Sequence, residues 1–87
     1  MTDIQKVILH AELIQRGLSE IKANRIIELL TDKPENVQLA FYYRCLGETQ
    51  SSIADILHVS RRQVSYYLSE NCISIYTYLG GSHERMD

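Results

Sequence analysis

Apolar residues recur at three- and four-residue steps up to Ser69, and short polar or glycine breaks divide them into runs. Residues 4–16, IQKVILHAELIQR, place Ile4, Val7, Ile8, Ala11 and Ile14 on one predicted helical face, and Gly17 offers a left-handed stop. Ser19 opens a second helix, SEIKANRIIELL, with Ile21, Ile26, Leu29 and Leu30 as its expected buried side and Glu20 and Lys22 on the wet one. Thr31-Asp32-Lys33 connects to Pro34, expected as the first residue of a third helix. That helix, PENVQLAFYYRCL, is expected to bury Val37, Leu46 and some of Ala40, Phe41 and Cys45, and Gly47 ends it.

Two short helices joined by a tight turn follow, over residues 49–69, TQSSIADILHVSRRQVSYYLS. Thr49 can cap the first, which turns Ile53, Ala54, Ile56 and Leu57 towards the core. Ala54 matters by its size, because a small side chain before a turn lets two helix backbones cross closely. His58 and Val59 make the turn, with Val59 as its apolar plug, and Ser60 can cap the second helix. There Val64, Tyr67 and Leu68 share one face at i, i+3 and i+4. The other side carries Arg62, Ser65, Tyr66 and Ser69, with Arg61 at its N-terminal edge and no acidic group among them.

The stretch CISIYTYL, residues 72–79, reads either as a sixth helix or as a short strand, and its Ile, Tyr and Thr content favours the strand. No second strand is evident, so its expected partner is the same strand of a second subunit. The expected architecture is mainly α: one small five-helix domain over residues 1–79, with a flexible tail over residues 80–87.

Composition narrows the chemistry. At 87 residues, 45% apolar and 23% charged, with one proline, the chain has the make-up of a single soluble domain. It holds no apolar run of about 18 residues and no signal-peptide layout at its start, which points to an intracellular, cytoplasmic protein. Cys45 and Cys72 are too few and too far apart for a disulfide framework or a zinc site, and Cys45 sits among apolar neighbours as a buried thiol. His10, His58 and His83 lack ligand spacing, so neither metal nor cofactor is expected. Paired acids, nucleophile–base motifs and phosphate-cradling glycine loops are absent, which argues against an enzyme.

The net charge of -2 weighs against non-specific coating of nucleic acid, which needs many Lys and Arg to displace counterions. Its distribution matters more. Residues 1–33 carry five basic and five acidic groups, residues 34–46 one of each, and residues 47–87 three basic and five acidic. A selective reader using a few arginines on one face remains compatible with that balance. Tyr42 and Tyr43 are expected as a half-buried pair, while Arg44 is placed either to brace a phosphate or to pair with Glu48.

Gln50, Ile53-Ala54, Leu57, Val59-Ser60 and Val64 resemble the helix-turn-helix of bacterial and phage transcription regulators over about a quarter of the chain, Gln50 to Ser69. The family usually has glycine where this chain has His58, because that residue tends to adopt positive φ, and histidine is among the side chains that tolerate it. The longer stretch from Pro34 to Leu68 is similar to the fourth region of bacterial sigma factors, where a proline-started helix leads through glycine into the same unit. The resemblance implies that the second short helix enters the major groove, and that Gln50 holds a phosphate or orients a base contact. Arg61, Arg62, Ser65 and Tyr66 become the base-reading set, with Ser60 and Ser69 beside them. The expected function is therefore a sequence-specific double-stranded DNA-binding transcription regulator acting as a homodimer. The competing expectation is an adaptor that docks on an RNA polymerase subunit or another regulator.

Overall fold

The computed structural model describes residues 1–69, and these form five helices: α1 (Asp3–Gln15), α2 (Glu20–Thr31), α3 (Glu35–Cys45), α4 (Gln50–Leu57) and α5 (Arg61–Ser69). No strand occurs among the described residues. The strand or sixth helix expected at residues 72–79 and the expected tail at 80–87 lie outside them. Among the described residues no helix is long and apolar enough to cross a membrane.

Local chemistry explains the boundaries. Thr2 and Gln5 form a reciprocal capping box: the Gln5 N–H donates to Thr2 Oγ1 (3.1 Å) and the Thr2 N–H donates to Gln5 Oε1 (2.9 Å). Ser19 and Thr49 cap α2 and α4 through their hydroxyl oxygens, which accept from Lys22 N (3.2 Å) and Ser52 N (3.1 Å). Pro34 stands one residue earlier than expected. It is the N-cap of α3, with ψ at 154°, and Glu35 is the first helical residue. After α1 and α3 the chain closes through left-handed glycines, Gly17 at φ 96° and Gly47 at φ 98°. In each case the next N–H reaches back five residues, Leu18 to Leu13 (3.2 Å) and Glu48 to Tyr43 (3.1 Å).

Helix α3 is the centre of the molecule. The α1–α2 hairpin packs on it from one direction, and α4 and α5 pack on it and on each other. Val37, Ala40, Phe41, Tyr42 and Cys45 are all buried, on more than one side of the helix, as expected for a helix covered nearly all round. Tyr42 is more deeply buried than a half-buried pair requires; its ring meets that of Tyr43 edge-on, with centroids 5.1 Å apart. Gln38 is the buried polar residue of the core, and its Nε2 donates to the Thr31 and Lys33 carbonyls (3.3 and 2.8 Å), which fastens the α2–α3 connection.

Several expected core positions are corrected. In α1 the buried residues are Leu9 and Leu13, whereas Ile4, Val7, Ile8, Ala11 and Ile14 face solvent. The roll of the helix buries Leu9 and Leu13 in the core and is accompanied by contacts at its two ends. The Met1 amine meets the Glu35 carboxylate at 2.9 Å, and Arg16 Nη2 donates to the Cys45 carbonyl at 3.1 Å, tying both ends to α3. The apolar residues on the opposite side are more numerous, and periodicity alone selects the larger set. In α2, Ile26 and Leu30 are buried as expected, Leu29 is half-buried, and Ala23 rather than Ile21 completes the inner face. Leu46 and Ile56 are also exposed. Leu46 lies beyond the last turn of α3, and Ile56 points away from Ile53 and Ala54 on α4.

Candidate nucleic-acid interface

The two-helix unit is built as its residues dictate. Ile53 and Ala54 of α4 and Val64 and Leu68 of α5 are buried, and Leu57, Val59 and Tyr67 pack partly buried against the same core. His58 closes α4 in the left-handed region at φ 58° and ψ 44°. The Val59 N–H then reaches the Ala54 carbonyl at 3.0 Å, the same five-residue return that follows Gly17 and Gly47. The departure from glycine is thus accommodated with the backbone shape unchanged.

That backbone shape carries strain. A side chain in the left-handed region costs roughly 1–2 kcal/mol, and glycine's freer unfolded chain offsets about 0.4–1 kcal/mol of the relief. His58→Gly should therefore raise stability by about 0.5 kcal/mol in urea denaturation, while His58→Val should lower it by at least about 1 kcal/mol. A glycine variant clearly less stable than the parent would show that the imidazole itself holds the turn.

Helix α5 begins at Arg61, and the Ser60 Oγ accepts from the Gln63 N–H at 3.1 Å. Arg61, Arg62, Ser65, Tyr66 and Ser69 are all exposed. Arg62, Tyr66 and Ser69 lie on the side of α5 away from Val64 and Leu68, Ser65 flanks it, and Arg61, three residues before Val64, extends from the N-terminal edge; no acidic residue occurs in the first turn. Among the described residues no carboxylate forms an ion pair with Arg61 or Arg62. Two cations at a helix N-terminus oppose the helix dipole, which disfavours each by about 0.3–1 kcal/mol. Their position works against helix stability while concentrating positive potential at the point where backbone N–H groups also face outward.

Not every expected contact is equally available. The Ser69 Oγ donates to the Ser65 carbonyl at 2.7 Å, so its proton is already engaged within the helix. The Ser60 hydroxyl oxygen is engaged as a cap. Gln50 opens α4 and is half-buried. Gln63 is an addition: it is exposed in the first turn of α5 beside Arg62, and its amide suits the bidentate pattern presented by adenine. Grouping α5 residues by distance from Val64 and Leu68 passed over Gln63, although its place next to the arginines in the first turn was a usable signal.

Arg44 meets Glu48, but through the Glu48 backbone carbonyl rather than the carboxylate. Its Nη1 donates to the backbone carbonyl of Glu48 (2.7 Å), its Nε is buried without a partner, and the Glu48 carboxylate accepts from the Ser52 hydroxyl instead (2.7 Å). This chain of contacts ties the end of α3 to the start of α4. A single long hydrogen bond, Asn36 Nδ2 to Tyr67 Oη at 3.5 Å, links α3 to α5 on the inner side. Among the described residues no three His, Cys, Asp or Glu side chains converge as a metal site would require. In comparisons with known proteins, no family model, no curated protein and no solved structure matches this chain.

Proposed function

We propose that the protein is a sequence-specific, double-stranded DNA-binding transcription regulator of the cytoplasm, which lays α5 in the major groove and acts as a homodimer on a two-fold symmetric operator. The observation that carries this reading is the outward face of α5. Two arginines at the helix start, a glutamine beside them and short polar residues along the face are presented on a unit whose inner side is fully packed. Arginine pairs bidentately with guanine, glutamine with adenine, and an exposed tyrosine contacts a thymine methyl or a phosphate. Helix α4 crosses behind and would rest its N-terminal turn, with Gln50, against the phosphate backbone.

Two arginines per subunit make a weak reader when used alone. Two copies spanning half-sites about one helical turn apart double the contacts, which fits a chain of net charge -2 that cannot rely on general attraction to phosphate. Selection from a random pool of duplex DNA tests the proposal. The expected result is an enriched two-fold symmetric site, bound with an affinity that falls steeply with salt. Failure to enrich any sequence at low salt would remove the DNA-reading assignment.

The negative balance also favours a second reading, in which the same unit docks on a polymerase subunit or another regulator and leaves DNA contact to its partner. That adaptor would ignore duplex DNA even at low salt and be retained by immobilised RNA polymerase. A regulator shows salt-sensitive background binding to random duplex.

A further inference from the structure

Helix α1 is apolar on two opposite sides. Leu9 and Leu13 are fully buried against the core. Roughly 180° round the helix, at 100° per residue, lies the outward stripe of Ile4 (72% exposed), Val7 (69%), Ile8 (40%), Ala11 and Ile14 (39%). No charged side chain interrupts it. Its exposed area is on the order of 400 Å² per subunit, within the range of the largest apolar patch on a typical monomer, a patch that is often functional.

The spacing of the stripe identifies its occupant. Ile4, Val7, Ala11 and Ile14 follow steps of three, four and three, the seam of a two-stranded coiled coil. The pattern is also self-complementary when reversed. In an antiparallel pair, Ile4 of one copy faces Ile14 of the other and Val7 faces Ala11, so the isoleucines pair at each end and the small alanine lets the helices approach near the centre. At the stripe's ends, Asp3 of one helix lies beside Gln15 of the other, a carboxylate next to an amide donor. A parallel pair would oppose Asp3 to Asp3. Either orientation is two-fold symmetric, and the charge at Asp3 favours the antiparallel one.

We propose that the outward stripe of α1 is the self-association surface of the protein, on which a second copy packs its own α1 antiparallel across a two-fold axis. This deepens the homodimer proposed above and rests on that reading. The stripe supplies about half of the roughly 800 Å² per partner of a standard interface, so the polar residues around it must contribute the rest. Helix α1 is already folded on α3, so pairing carries no nucleation cost for so short a seam. The stripe lies on α1, whereas the interface proposed for α5 is on a helix that packs chiefly on α3 and α4, so the two surfaces share no residue.

The test is sedimentation of the full chain without DNA, which keeps it independent of whether α5 reads DNA. At 100 µM the parent should sediment as a dimer, and Val7→Glu should sediment as a monomer with unchanged helical circular dichroism. A parent that is monomeric at that concentration, or a Val7→Glu protein that remains dimeric, overturns the proposal. Orientation is read by mixing Val7→Cys and Ala11→Cys proteins, each in a Cys72→Ser background, under mild oxidation. A mixed disulfide as the main product supports the antiparallel pair. Each variant linked only to itself, or no linkage at all, overturns it. Should the dimer form as described while no operator is enriched, the self-association surface stands and the DNA reading falls.

Discussion

Arg61→Ala/Arg62→Ala should bind the operator at least about a hundredfold more weakly than the parent and lose preference for it over random duplex. Each bidentate arginine–guanine pair contributes about 1–3 kcal/mol of discrimination, and every tenfold in affinity is about 1.4 kcal/mol. Removing two pairs in each subunit therefore exceeds two decades even at the low end. Both side chains are exposed and neither joins an ion pair among the described residues, so the double variant should unfold at the same urea concentration as the parent or slightly higher. The slight gain would follow from removing two positive charges from the positive end of α5. Fluorescence anisotropy on a labelled operator, with a urea melt alongside, separates loss of contact from loss of fold. Undiminished specific binding would show that α5 is not the reading helix.

Phe41→Ala should cost about 3–5 kcal/mol, the range for removing a large aromatic side chain from a close-packed interior. Phe41 is fully buried in the helix on which the other four pack. A domain of this length is stable by only about 4–13 kcal/mol in total, so the variant is expected to be largely or marginally folded at room temperature. Its urea midpoint should fall by about a quarter or more. A midpoint within a few tenths molar of the parent's would mean that Phe41 does not sit at the centre of the packing. Any DNA-binding loss in this variant should track its unfolded fraction, unlike the loss in Arg61→Ala/Arg62→Ala.

The helices themselves were legible because their punctuation is strong. Ser19, Thr49 and Ser60 each cap the helix they precede, and Gly17 and Gly47 each take the left-handed conformation that a stop requires. The turn at His58 was legible too, since the neighbouring pattern demanded positive φ there and histidine could supply it. The face of α1 was not. Two apolar sides of one helix give periodicity no means to choose between them, and the choice is made by packing against residues distant in sequence, which buries Leu9 and Leu13. Gln38 and Tyr42 illustrate the same limit. They are buried because α3 is enclosed on several sides, and a one-sided pattern cannot announce that. On α5 the outward residues were identifiable from the positions of Val64 and Leu68. The return of the Ser69 hydroxyl to Ser65 depends on a rotamer and could not be read from spacing.

The central position of α3 has an implication for how such a chain can change. The α1–α2 hairpin and the α4–α5 unit each rest on α3. A substitution on α1 or α5 is therefore felt within its own pair and by α3, while a substitution on α3 is felt by both pairs. The molecule is modular about its middle: α5 can be exchanged for a helix of different outward residues without disturbing α1, and α1 can be altered without disturbing α5. Freedom to diverge rises towards the two flanks and falls to a minimum between Val37 and Cys45.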